Sequence, residues 1–252
     1  MKILAAPIAW YCRLHSLRAR DIPYGEDAKA VLDIFGPRKT KEKRPVIIFW
    51  HGGSWKTGDK KNYCLVADYL RSLGAVVVVA GYPLYPDQKF PGFINDALDA
   101  VDWTAKNIDQ YGGDSSRIFL SGHSAGAHTA LIATLLSKNK SVKGCITLAA
   151  PADISRRHYG EIFGQAFEKD RQKPVAYISK AQKNLKFLIV HGSRDKLVPF
   201  QDARTLVEEL EAGGLQAKLL KLHLGHFRII LTIARPFGGF YRTGRAIKKF
   251  IK

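Results

Sequence analysis

Ser124 lies in Gly122-His123-Ser124-Ala125-Gly126, between an apolar run, Arg117 to Leu120, and a stretch of small and apolar residues to Leu136. A serine at a sharp strand-to-helix turn exposes its hydroxyl at the end of a sheet, beside helix N-terminal amides that favour developing negative charge. Such a turn needs small residues two before and two after the serine, since a side chain at Gly122 or Gly126 would meet neighbouring backbone. The hydroxyl is a poor nucleophile at its free pKa. It needs a base to take its proton and an acid to hold that base in the right tautomer.

The partners must follow in the order acid, then histidine. His191-Gly-Ser-Arg-Asp195-Lys-Leu-Val-Pro199 comes directly after the apolar run Phe187 to Val190, so Asp195 falls at a strand's C-terminal end. Leu224-Gly225-His226-Phe227 follows the last apolar run. Ser124 as nucleophile, Asp195 as orienting acid and His226 as base therefore make the expected triad. Upstream, His51-Gly52-Gly53-Ser54-Trp55 ends the run Val46 to Trp50. Bare glycine amides there can approach a carbonyl oxygen, so Gly52 or Gly53 with the amide of Ala125 is expected to form an oxyanion hole.

Competing assignments exist, since the chain has eight histidines. His223 lies inside the last strand's run. His51 and His123 flank the glycine turns and suit hydrogen bonding within loops, and His128 suits packing one turn after the serine. His15, His158 and His191 lack the required position. Among acids, Asp153 follows the strand after the elbow helix and competes with Asp195, whereas Asp114 suits bracing a turn. No His, Asp and Glu grouping has metal-ligand spacing, and no phosphate loop or dinucleotide fingerprint is present. No cofactor and no metal are expected.

The elements that must position these residues read as an alternation. Apolar runs at Val46 to Trp50, Ala75 to Ala80, Arg117 to Leu120, Val142 to Leu148, Phe187 to Val190 and Leu215 to Leu222 predict strands. Helical spacing predicts helices over Lys60 to Leu73, Pro91 to Tyr111, Ser124 to Leu136 and Asp202 to Leu210, with a helical region from Phe227 onward. Alternation of this kind predicts an α/β fold with a mostly parallel central sheet and helices on both faces. The polar stretch 152–184 breaks the rhythm and is expected to be a small inserted cap. The domain organisation expected is a basic amphipathic extension over 1–20 and one domain over 21–252. That domain would carry the cap and a basic C-terminal helix over about 240–252.

Together these pieces resemble the α/β-hydrolase superfamily, in its hormone-sensitive-lipase-like esterase branch. The matching segments are His51-Gly-Gly-Ser-Trp55, Tyr82-Pro83, Tyr111-Gly-Gly-Asp114, Arg117-Ile118, Gly122-His-Ser-Ala-Gly-Ala-His128, Asp195-Lys-Leu-Val-Pro199 and Gly225-His226-Phe227. The stretches around Ser124 and His226 are also similar to arylformamidases and prenylcysteine methylesterases. The resemblance implies the α/β-hydrolase fold and carboxylic ester hydrolysis through an acyl-enzyme on Ser124, without a cofactor. An arylformamidase-like amide hydrolase would need the same triad, and a non-catalytic binding module would keep the fold without it. The acyl pocket is expected from Trp55, Tyr82, Tyr85 and the cap around Ile154 to Phe167, holding a small-molecule ester or amide.

Composition bounds the alternatives. Of 252 residues, 46% are hydrophobic and 25% charged, an ordinary globular balance that excludes disordered, collagen-like and coiled-coil chains. Three cysteines are too few for a disulfide scaffold and suit a reducing, cytoplasmic compartment. No apolar run reaches the ~18 residues that span a bilayer. Ile3 to Tyr11 is interrupted by Pro7, Trp10 and Tyr11, which argues against an export signal and for an N-terminal helix on the domain or on a membrane surface. Lys and Arg outnumber Asp and Glu by 40 to 22, a net charge of +18. They are scattered without aromatic interleaving, so no nucleic-acid partner is expected. The tail, with Ala246, Ile247, Phe250 and Ile251 on one side and bases on the other, could make a peripheral contact with anionic membrane.

Overall fold

The computed structural model describes residues 16–37, 42–154, 159–165 and 170–252. The expected N-terminal helix over Ile3 to Tyr11 lies outside them. The strands are β1 (Leu17–Pro23), β2 (Val31–Phe35), β3 (Arg44–Trp50), β4 (Val76–Ala80), β5 (Gly113–His123), β6 (Val142–Leu148), β7 (Lys186–Gly192) and β8 (Gln216–Leu222). Among the described residues they form one sheet in the order β1-β2-β4-β3-β5-β6-β7-β8. The pairs β1/β2 and β2/β4 are antiparallel, and every other pair is parallel.

Strands β3 and β4 are almost wholly buried because each side chain row meets a helix layer. Val46, Ile48, Trp50, Val76 and Val78 join one core, while Ile47, Phe49, Val77 and Val79 join the other. The helices are α1 (Cys64–Ser72), α2 (Gly92–Asn107), α3 (Ala125–Leu136), the single turn α4 (Gly160–Phe163), α5 (Phe200–Ala212) and α6 (Arg242–Phe250). Residues of α2, α3 and α5 pack in the first core; α1 and α6 pack in the second. Helix α3 is buried nearly all round and is correspondingly rich in small and apolar residues, with His128, Thr129 and Thr134 its polar members.

Several boundaries differ from the sequence reading. Strand β5 extends from Gly113 to His123 because its pairing with β3 and β6 continues past Leu120, carrying the chain up to Ser124. Two further strands precede β3. In β1, charged residues alternate on an exposed edge; in β2, Asp33 interrupts the apolar run. Asp33 is buried because Lys60, itself buried, bonds to both it and Asp21, the latter at 2.6 Å. Because β1 begins at Leu17, residues 17–20 belong to the sheet and not to an extension. Beyond β8 the chain forms 3-10 turns over His226–Ile233 and Phe237–Phe240 before α6. Helix α6 spends its apolar side on its own domain: Ile247 and Ile251 are buried, with Ala246 and Phe250 packed beside them. What it shows to solvent is its basic side.

Candidate active site

The three residues expected to act together arrive from three separate strand ends. Ser124 follows β5 and caps α3 with φ 52° and ψ −120°, a conformation rare for a residue with a side chain. The glycines around it permit this turn. A Cβ on Gly122 would lie 2.4 Å from the carbonyl carbon of Gly126, and one on Gly126 would lie 2.2 Å from the carbonyl oxygen of Trp50. The expectation of backbone crowding therefore holds at both positions, and at Gly126 the opposing backbone is the end of β3.

His226 Nε2 lies 2.9 Å from Ser124 Oγ, and His226 Nδ1 lies 2.8 Å from Asp195 Oδ2. A carboxylate only accepts, so Nδ1–H donates to Asp195 and leaves Nε2 to accept from the serine hydroxyl. Asp195 Oδ1 takes the amides of Leu197 and Val198, each at 2.8 Å. Burial pushes the Asp195 carboxyl up, but His226 and those two amides outweigh it and hold the carboxyl below its ordinary value. The acid is thus fixed as an anion beneath the imidazole.

The competing residues are placed elsewhere. His223 Nδ1 meets Ser193 Oγ at the surface. Asp114 takes Ser116 and Arg117 and braces its turn. Asp153 lies 3.9 Å from Lys173. His51 bonds through Nδ1 to the Gly52 carbonyl and stacks on Tyr82. His128 is fully buried, edge-on to Trp55 and Phe163, and burial holds its pKa down at about 4. His123 Nε2 lies 3.2 Å from the carbonyl oxygen of His226, and burial together with the nearby His226 ring takes its pKa to about 4. It is a neutral ring that donates to that carbonyl and steadies the loop that carries His226.

The glycine loop sits against the elbow. A Cβ on Gly52 would be 2.9 Å from the His123 carbonyl oxygen and 3.2 Å from Ser124 Cβ. The Gly52 amide, however, donates to the Tyr63 hydroxyl at 3.3 Å, so of the two expected glycine donors it is Gly53 whose amide makes no hydrogen bond among the described residues. Gly53 has φ 131°, and a Cβ there would fall 1.9 Å from the Thr57 carbonyl oxygen. Ser54 and Trp55 continue at φ 55° and 58°. The Trp55 ring holds that strained path in place, clasped by Phe93, His128, Tyr159 and Phe163.

That clasp corrects the expected pocket. Trp55 and Tyr82 are each only 1% exposed, with Tyr82 Oη on the His51 carbonyl, so both are core residues that shape the loop. Tyr85 is partly exposed, between the ammonium groups of Lys56 and Lys89. The described residues of the 152–184 stretch contain α4 and a 3-10 turn over Pro174–Lys180. They buttress the loop through Phe163 on Trp55 and Glu161 on Lys56.

Sequence reasoning passed over two supports. His191 Nε2 lies 3.1 Å from the Val198 carbonyl and 3.5 Å from Asp195 Oδ2, beneath the acid. Tyr63 occupies the Gly52 amide. Neither has a local signal, since each meets the site only through folding; the apolar surroundings of His191, at the end of a buried strand, were the one hint.

Comparison with known proteins relates the whole chain to hydrolases. The BD-FAE family model matches residues 32–158, and the Serine hydrolase family model matches residues 96–229. An isoprenylcysteine alpha-carbonyl methylesterase of Arabidopsis thaliana is 29% identical, over 87% of this chain and 58% of its own. The esterase LipC of Mycobacterium tuberculosis is 28% identical, over 77% of this chain and 55% of its own. The chain thus spans little more than half the length of these relatives. A phosphonate-inhibited esterase B of Lactobacillus rhamnosis shares the fold with a TM-score of 0.80 at 19% identity, covering 99% of this chain and 91% of that one. Each family model spans half of the chain or more, and the chain, which has the α/β-hydrolase fold, belongs to the BD-FAE and Serine hydrolase families.

Proposed function

We propose that the protein is a serine carboxylesterase-type hydrolase. The observation that carries this reading is the unbroken chain from Ser124 Oγ through His226 to Asp195, at 2.9 and 2.8 Å, on a strained elbow. Ser124 attacks the ester carbonyl as His226 Nε2 takes its proton. The amides of Ala125, at the start of α3, and of Gly53 receive the developing oxyanion, and His226 returns the proton to the leaving alcohol. Water, deprotonated by the same imidazole, then releases the acid from the acyl-serine. The names of the relatives, methylesterase and esterase, support an ester over a formamide.

The test is turnover of p-nitrophenyl butyrate and labelling by a fluorophosphonate. The wild-type protein is expected to do both. Ser124→Ala is expected to lose the label and about a millionfold in kcat, as in a well-studied serine hydrolase. Equal rates for both proteins would refute the assignment.

The expected peripheral contact with anionic membrane gains support from the surface. Phe227, Phe237 and Phe240 are exposed on the stretch before α6, and α6 adds Arg242, Arg245, Lys248 and Lys249. Among the described residues no helix is long and apolar enough to cross a membrane.

A further inference from the structure

A cavity of about 620 Å³ lies beside the base, and no step of the proposed hydrolysis uses it. Leu65 and Val66 of α1 form one wall; Phe227, Ile230 and Leu231 of the first 3-10 turn form another. It adjoins His226 and the glycine loop through three side chains that line it. The Phe227 ring stands edge-on to His226, with centroids 5.2 Å apart. His123 bonds to the His226 carbonyl, and Tyr63 receives the Gly52 amide.

The lining is chemically one-sided. Among the described residues Arg235 is its single charged residue, and its Nε already donates to Asp68 Oδ2 at 3.1 Å. A neighbouring hollow of about 510 Å³, lined by Asp21, Lys29, Lys60 and Lys61 among others, would penalise a hydrocarbon. The apolar cavity has the size of a small-molecule site, and Phe227 at its mouth is 74% exposed, an aromatic ring left in water. Covering such surface with methylene groups is favourable, and the polar side chains of the lining, Asn62, Tyr63, His123 and Arg235, are outnumbered by apolar ones.

We infer that this cavity receives a hydrocarbon chain of the ester, several carbons long, and makes the enzyme selective for chain length. The inference rests on the esterase reading. The chain belongs to either the acyl or the alcohol half of the substrate, and two series separate these sources: p-nitrophenyl acetate, butyrate, octanoate and dodecanoate, and the acetates of butanol, octanol and dodecanol.

In one series kcat/KM is expected to rise on the order of tenfold or more from the short to the eight-carbon member, as burial of two or more methylenes would give. Leu231→Trp and Leu65→Trp fill the cavity from opposite walls at partly exposed positions. Each is expected to abolish most of that rise and leave p-nitrophenyl acetate turnover unchanged. Flat profiles in both series, with acetate still hydrolysed, would overturn the inference and leave the esterase reading intact. So would losses of acetate turnover as large as those on octanoate in both variants. If wild type hydrolyses no ester, the esterase reading fails. Calorimetry of dodecanoate with Ser124→Ala then decides the cavity's role: binding lost in the Ser124→Ala/Leu231→Trp protein supports it, and no binding overturns it.

Discussion

Asp195 serves two masters with its two oxygens. Oδ1 closes the turn through Leu197 and Val198, and Oδ2 orients His226. Asp195→Asn keeps an acceptor for the two amides but turns an NH2 toward Nδ1 and enforces the wrong tautomer. We expect kcat on p-nitrophenyl butyrate to fall about 10⁴-fold with the folded signal in circular dichroism unchanged; a loss under tenfold would contradict the assigned role. His123 and His128 give the acid side of the pH response. Their folded pKa values, about 4, lie below the ordinary 6.5, so the unfolded chain binds more protons between those values. Stability is complete above pH 6.5 and falls as pH drops toward 4, on the order of 2–3 kcal/mol per ring. Urea melts at pH 7 and 4.5 should show this loss, and His128→Gln should show a shallower one. Asp195, with its lowered pKa, adds stability that is lost only at still lower pH.

The elbow is a joint property of β5, α3 and the end of β3. Ser124 tolerates its conformation because its amide bonds to Leu148 O at 2.9 Å and because two glycines let three backbone segments touch. Gly126→Ala would drive a methyl into the Trp50 carbonyl, which cannot move without shifting the sheet. We expect a loss of about 3 kcal/mol or failure to fold. Gly239→Ala, where a Cβ meets nothing within 4 Å, should change stability by no more than about 0.5 kcal/mol. Urea denaturation of the pair checks both. At one edge of the sheet, Lys60 ties the β1/β2 hairpin to the body through Asp33 and Asp21. Lys60→Met strands a buried carboxylate and should cost about 3–5 kcal/mol, most of it regained in Lys60→Met/Asp33→Leu.

At the scale of the whole molecule, a net charge of +18 gives long-range attraction to any anionic surface. Since α6 has already buried its apolar side, its contribution to such a contact is electrostatic, and the exposed rings of Phe227, Phe237 and Phe240 supply what apolar contact there is. Co-sedimentation with phosphatidylserine-containing vesicles should be substantial at 0.05 M salt and weaken strongly by 0.5 M, as screening shortens the Debye length. Phe227→Ser/Phe240→Ser should weaken it further. Salt-insensitive binding, or none, would count against the contact.

The sequence by itself determined the strand–helix alternation and the positions of Ser124, Asp195 and His226. These signals are local: buried parallel strands are continuous apolar runs, and a tight turn admits only small residues. It missed β1 and β2 because an edge strand alternates charge and because Asp33 looks polar until Lys60 neutralises it. It placed Trp55 and Tyr82 in the pocket because an aromatic ring near a glycine turn reads alike whether it faces ligand or core. Only the tertiary structure decided that these rings brace the loop, that Tyr63 occupies the Gly52 amide, and that the apolar cavity lies between α1 and the His226 turn. Each depends on contacts between segments distant in sequence, and no local pattern encodes them.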